Sequence, residues 1–264
     1  MKYGYAQHNL ILNSSFENLN TCTITMNGFA STKNWYSPTN NSPDIWAKCA
    51  DDILLSTPYN QAGYQFPHSG NNYAGLAIWA YPPSPIVNEK DYIQTLIESS
   101  LKKNMVYQIE MYVSCADNNN TATFIASNKL AFLFSTDSVI YKNSSQMFWG
   151  AIPRNPQIVF NHVISDTLNW VKLSATFIAD SNYNYLTIGN FASQDSMIFD
   201  TICVNTLSND ALSYYFIDDV SLVEIPDTII INNNNEMNIY NDNGSTYFNY
   251  SLAEAANNAA IEVY

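Results

Sequence analysis

Two adjacent carboxylates, Asp218 and Asp219, lie inside the most strand-like stretch of the chain, Tyr214–Glu224 (YYFIDDVSLVE). Its branched and aromatic residues predict a β-strand with Phe216, Asp218, Val220 and Leu222 on one face and Ile217, Asp219, Ser221 and Val223 on the other. A strand this apolar needs cover on both sides. An ionised carboxylate beside a sheet interior is costly, so the pair calls for backbone donors, a cation or a bound metal ion.

Residues for catalysis are sparse. His8, His68 and His162 are scattered, and the chain carries no H-E-x-x-H, no G-x-S-x-G elbow, no P-loop and no dinucleotide fingerprint. Asp51, Asp52, Asp91 and Glu110 could supply an acid pair for glycoside hydrolysis, but no E-x-D-x-E strand pattern accompanies them. The expectation is a protein without enzymatic activity. Sugar recognition is better supplied: a pyranose presents an apolar C–H face and a rim of hydroxyls, which suit a flat ring beside amides and carboxylates. Trp79 and Tyr81 beside the loop YPPSPIVNEK, Tyr141, Phe148 and Trp149 in a central turn-rich insertion, and Asn118 and Asn119 are the candidates. Trp35, Trp46 and Trp170 are assigned to the core.

The elements that would hold these groups are strands. Met105–Cys115 alternates cleanly, with Tyr107, Ile109, Met111, Val113 and Cys115 facing one way and Gln108, Glu110, Tyr112 and Ser114 the other. That second face reads either as a shallow binding surface or as a solvated outer face. Further strands are predicted at Leu10–Leu12, Tyr73–Trp79, Tyr92–Ile97, Leu130–Ser135, Gln157–Phe160, Trp170–Ala179 and Tyr185–Asn190. Asn13–Asn72 reads as long loops pinned by buried rings. Short strands without helical periodicity predict an all-β sandwich or jelly roll with long loops and a short C-terminal β segment.

Two motifs carry a resemblance. NLILNSSFE (Asn9–Glu17), followed some two hundred residues later by YFIDDVS (Tyr215–Ser221), resembles the jelly-roll modules of the galactose-binding-like superfamily, to which many carbohydrate-binding modules belong. The likeness continues through NWYSPTNNSPD and HSGNNYAGLA and covers most of residues 9–224, in the manner of secreted proteins from Bacteroidetes. It implies that the two ends of the domain are neighbouring strands. It also implies a structural Ca²⁺ joining them through Glu17, Asp218 and Asp219, with backbone carbonyls completing the shell. The alternative is closure without metal, with Asp218 capping backbone amides. Cysteines bracket the same loop region in the resembling proteins, which implies a Cys22–Cys49 disulfide. Cys115, on the apolar face of its strand, reads as a buried free thiol, and Cys203 is unassigned.

The remaining sequence sets the organisation. Residues 1–8 form an N-terminal remnant without the apolar core of a signal peptide, 9–226 the sandwich, 227–236 an Asn-rich linker and 237–264 a β segment. The last resembles the opening strands of the sorting domain of type IX secretion, with Asn241 and Asp242 departing from its pattern; a hairpin packed on the sandwich is the alternative. Asp-Ser and Asp-Thr followed by an aliphatic residue resemble the O-glycosylation motif of Bacteroidetes envelope proteins, which marks Ser138, Ser196, Thr201 and Thr228. The net charge of −13 and the single arginine, Arg154, argue against nucleic acid. No run reaches the roughly 20 apolar residues of a membrane span. The expected protein is a secreted or cell-surface glycan-binding module. The alternative is a structural, adhesion or filament subunit that contacts cell-surface proteins or self-assembles through its C-terminal segment.

Overall fold

The computed structural model of the chain describes residues 8–26, 28–81, 90–118, 123–141, 150–204, 211–225, 236–242 and 245–251. The chain divides into two compact units, Met1–Val223 and Glu224–Tyr264.

The first unit opens with β1 (Trp35–Tyr36), β2 (Asp44–Ala47) and the short hairpin β3 (Tyr59–Asn60) and β4 (Gly63–Tyr64). Then come β5 (Asn72–Tyr81), β6 (Tyr92–Leu96), β7 (Val106–Cys115), β8 (Thr123–Ser127), β9 (Leu130–Ser135) and β10 (Ile158–Val159). β11 (Val171–Ile178), β12 (Tyr185–Asn190), β13 (Phe199–Cys203) and β14 (Ala211–Glu224) complete it. One sheet runs β1-β6-β12-β9-β10; the other runs β11-β7-β14-β5-β2, with β8 bridging β14 and β13. The chain is an all-β jelly-roll sandwich.

Period-two patterning explains the layers. In β7 the side chains of Tyr107, Ile109, Met111 and Val113 are buried, and across the antiparallel ladder Leu173 of β11 joins them. On the opposite face Gln108, Glu110 and Tyr112 sit across from Thr176, Ser174 and Lys172. β9 is apolar on both faces because both are covered. Leu130, Phe132 and Phe134 enter the main core. Ala131 and Leu133 join a second cluster with Tyr92, Val139, Ile152 and Phe191.

The start of the sandwich docks on its end. Leu10 N–H donates to the Leu222 carbonyl at 2.8 Å, and the Asn9 side chain donates to the Val220 carbonyl and accepts from Leu222 N–H. The strand expected at Leu10–Leu12 shrinks to one bridge, Ile11 to Ile97. Asn13, at φ +52°, turns the chain away there. Phe16 and Phe29 from the loops, Trp35 of β1 and Trp46 of β2 then join the main core, so the stretch expected as loops also carries short strands.

In the second unit β15 (Glu236–Asp242) pairs antiparallel with β16 (Ser245–Ser251), Ile239 standing opposite Phe248.

Candidate functional site

The segment His68–Asn72 leads into β5 between carboxylates from both ends of the sandwich. Asp218 Oδ2 accepts from the amides of His68 and Ser69 at 2.9 and 3.1 Å, and its Oδ1 accepts from Asp219 N–H at 2.8 Å. Glu17 Oε1 accepts from the amides of Asn71 and Asn72 at 2.8 and 2.9 Å. Asp219 Oδ1 accepts from the Ser69 hydroxyl at 2.6 Å, and its Oδ2 lies 2.5 Å from His68 Nδ1. The motifs FE, HSGNN and DDV therefore meet in one knot. Asp218 is fully buried, and that burial, reinforced by the charge of Asp219 and opposed by the three amides, pushes its carboxyl up to about 8.

This arrangement does not fit the expected Ca²⁺ site of Glu17, Asp218 and Asp219. Five of their six carboxylate oxygens already face N–H or hydroxyl groups. A hard cation needs six to eight oxygen donors converging on it, not hydrogens. Among the described residues no group of three or more His, Cys, Asp or Glu is placed to hold a metal ion. Backbone amides close the knot.

Its mechanical consequence lies on the outer face of β7. His68, anchored at both backbone and ring, stacks on Tyr112 with centroids 3.6 Å apart and planes 17° from parallel. Trp170 meets the same imidazole edge-on, and its indole N–H donates to the Phe66 carbonyl at 2.8 Å. From there exposed rings continue: Phe66 is 61% exposed and Tyr64 is 55% exposed, the two in edge contact, with Tyr59 opposite Tyr64 in the hairpin. Asn60 holds that hairpin, accepting from the amides of Ala62 and Gly63 and donating to the Tyr73 hydroxyl. Gln65, between the two exposed rings, is the residue turned inward, donating to Ser114 Oγ at 2.7 Å. The usual order of burial is inverted here, with an amide inside and two aromatics outside.

Beside this shelf runs a polar row. Glu110 Oε1 accepts from Lys172 Nζ at 2.8 Å, from Gln108 Nε2 at 2.6 Å and from Ser174 Oγ at 3.1 Å. Rings adjoining carboxylate, amide, ammonium and hydroxyl groups can stack on an apolar C–H face while hydrogen-bonding hydroxyls at its rim.

The expected ligand-binding residues do not assemble into this site. Trp79 is 2% exposed and packs on Phe199, because β5 is covered on both faces. Tyr141 is half-buried against the cluster of Tyr92 and Phe191 and bridges to Thr39. Asn118 donates to the Gln61 carbonyl at 2.8 Å, which ties down the β3–β4 turn. Tyr81 pairs with Ala211 through its backbone, but its side chain lies outside the described residues, as do Asn119, Phe148, Trp149 and Thr228. Trp170, assigned to the core from sequence, is half-buried: it packs on the main core, edge-on to the buried Tyr73, and also backs the shelf. The rings missed in sequence, Tyr59, Tyr64 and Phe66, carried one local signal: they flank the turn-forming run Asn60–Gly63.

The modification sites divide similarly. Ser138 is half-buried, its Oγ bonded to the Tyr36 hydroxyl and the Gln94 amide, so a substituent there would displace that network. Ser196 and Thr201 are exposed, on a 3-10 turn and on β13. Cys22 and Cys49 form a disulfide across a separation of 27 residues. Cys115 is buried and free, its thiol pushed up to about 12 by burial, and Cys203 is a half-buried free thiol donating to the Asp117 carbonyl.

No protein-family model matches the chain, and no curated protein matches it. Solved structures align with it at low identity. TmCBM61 in complex with β-1,4-galactotriose aligns at TM-score 0.39 and 10% identity, over 83% of this chain and 99% of that one. The CBM22-1 xylan-binding domain from Paenibacillus barcinonensis Xyn10C aligns at 0.38 and 12%, over 83% and 96%. The K3 cleaved adhesin domain of Lys-gingipain from Porphyromonas gingivalis aligns at 0.38 and 16%, over 81% and 98%.

Proposed function

We infer that the chain is a non-catalytic carbohydrate-binding module that takes glycan on the shelf of Tyr59, Tyr64, Phe66 and Trp170. The observation that carries this reading is the inversion at Tyr64, Gln65 and Phe66. Exposing two rings while burying the amide between them costs hydrophobic free energy, which a stacking ligand recovers. Glu110, Gln108, Ser174 and Lys172 stand beside the rings as hydroxyl-directed partners. The polar face read in β7 is then a binding surface rather than a merely solvated one.

The same reading places the protein outside the cell or at its surface. The exposed Cys22–Cys49 disulfide belongs to an oxidising compartment. Residues 237–264, with their resemblance to a type IX sorting domain, supply an export signal on this reading, and Ser196 and Thr201 are the accessible positions for O-glycosylation.

One observation favours the structural or adhesion alternative. The ring row adjoins Ile53 and Leu54, which are 67% and 44% exposed on the 3-10 turn packed beside β3, and a broad apolar surface of this kind suits protein contact. A glycan array probed with the wild-type chain, Phe66→Ala and Tyr64→Ala separates the two. Binding that is lost in both variants supports the sugar shelf. A folded chain that binds no glycan transfers the shelf to a protein partner.

A further inference from the structure

We propose that a second cleft, between Lys129 and Arg154 beside the five-stranded sheet, is a subsite for an anionic group on a carbohydrate, a carboxylate or a sulfate. It is separate from the aromatic shelf, and it rests on the carbohydrate-binding reading only for the class of molecule that carries the anion.

The cleft encloses about 300 Å³, and no Asp or Glu is among the described residues lining it. That lining runs against the composition, in which 23 acidic residues outnumber 10 basic ones. Two of those ten, including the chain's single arginine, face the same space, together with the amides of Asn155 and Asn161 and the ring of Phe191. Among the described residues the Arg154 side chain has no carboxylate within ion-pair distance, and Lys129 Nζ donates to a neutral partner, Asn161 Oδ1, at 2.6 Å. A third cation lies beneath the wall: Lys90 is fully buried, and its ammonium donates to the carbonyl of Ala192, which also lines the cleft.

The backbone that carries the cations is held in place. Arg154 and Asn155 stand between Pro153 and Pro156, whose rings fix their own backbone angles. Arg154 N–H donates to the Ile152 carbonyl at 2.8 Å. Just beyond, Gln157 clips the segment to β9, accepting from Phe134 N–H and donating to the Phe134 carbonyl and the Tyr183 hydroxyl. Lys129 sits at φ +72° in the β8–β9 turn, and its N–H donates to the Phe160 carbonyl. A guanidinium binds a planar carboxylate or a sulfate through paired N–H donors, and here its backbone is already ordered before binding.

Arg154 and Asn155 also line a neighbouring cleft of about 450 Å³, whose walls include Ser135, Thr136, Asp137 and Gln157. Hydroxyl and amide groups on that side give room and partners for the sugar rings flanking an anionic unit. The chain's net charge of −13 opposes dense polyanions at long range, so the fit is to a short oligosaccharide with isolated acidic groups.

Calorimetric titration of the full chain with trigalacturonic acid, a sulfated galacto-oligosaccharide and neutral galactotriose tests this. The expected result is binding of one or both anionic probes that weakens at least about tenfold in Arg154→Gln, weakens less in Lys129→Gln, and falls with added salt. Lys103→Gln, at an exposed lysine that lines neither cleft, leaves it unchanged. Which anionic probe binds tells carboxylate from sulfate. Failure of both anionic probes to bind, equal binding of neutral galactotriose in the Arg154-dependent mode, or indifference to Arg154→Gln overturns the proposal. If the anionic probes bind but depend on Phe66 and not on Arg154, the aromatic shelf stands and the second subsite falls.

Discussion

Gly70 lies so close to Glu17 that a β-carbon at position 70 would stand 2.5 Å from the Glu17 carboxyl carbon, and its backbone sits at φ +64°. The carboxylate cannot retreat without releasing the amides of Asn71 and Asn72. Left-handed backbone alone costs a non-glycine residue about 1–2 kcal/mol. Gly70→Ala is therefore expected to destabilise the sandwich by roughly 2–4 kcal/mol, combining that strain with loss of the Glu17 contacts. In a Glu17→Ala background the same change should cost only the strain, about 1–2 kcal/mol. Urea unfolding of the four proteins in the cycle reads both values; a Gly70→Ala cost unchanged by removing Glu17 would disprove the contact.

Asp218 sets a pH dependence of definite sign. Its carboxyl is pushed up to about 8 in the fold, against about 3.9 in an unfolded chain. Between those values the folded state holds a proton that the unfolded state releases. The stabilisation is complete below about pH 4 and is lost as pH rises towards 8, with a slope of up to about 1.4 kcal/mol per pH unit. Asp218→Asn removes the titrating group. The difference between wild-type and variant stabilities, measured by urea unfolding from pH 5 to pH 8, should drift in that direction; a flat difference would show that Asp218 is ionised in the fold.

Calcium should do little. With five of six carboxylate oxygens engaged by donors, neither added Ca²⁺ nor EDTA is expected to move Tm by more than about 1 °C. A rise of several degrees with Ca²⁺, abolished in Glu17→Gln, would mean that the knot opens to admit the ion.

The knot also shows what was legible in the chain and what was not. The adjacent acids announced a need for compensation, and the apolar strand around them announced burial. Two of the three compensating amides belong to His68 and Ser69, about 150 residues away in sequence, and no local pattern points to them. β7 was readable because a single period of two separates its buried face from its polar one. Trp79 was not, because hydrophobicity alone cannot tell a ring on a strand covered on both faces from one on a strand with an open face. The exposure of Tyr64 and Phe66 follows from the inward turn of Gln65, whose partner Ser114 lies on another strand.

The Cys22–Cys49 bond closes a separation of 27 residues in the loop region that carries Phe29 and Trp35 into the core. Loop-entropy reasoning gives it about 3.5 kcal/mol. The Cys22→Ser, Cys49→Ser variant should lose about that much in chemical denaturation, and so should the reduced wild type. Agreement between the two attributes the loss to the crosslink; a loss in the variant alone would attribute it to the serines.

Two aromatic residues separate architecture from recognition. Trp79 is buried in β5 against Phe199, so Trp79→Ala removes a large core side chain and should cost about 3–5 kcal/mol whatever the ligand. Phe66 is 61% exposed and supports the structure mainly through its backbone carbonyl, which accepts from Trp170 and survives truncation of the ring. Phe66→Ala should stay within about 0.5 kcal/mol of wild type in stability. Its expected loss is in binding, about 1–2 kcal/mol, which corresponds to roughly a five- to thirtyfold weaker Kd for a stacked sugar. Thermal melts of both variants beside glycan titrations decide the assignment. Retained affinity in Phe66→Ala, or a large stability cost there, would remove the ring from the binding surface and return it to the scaffold.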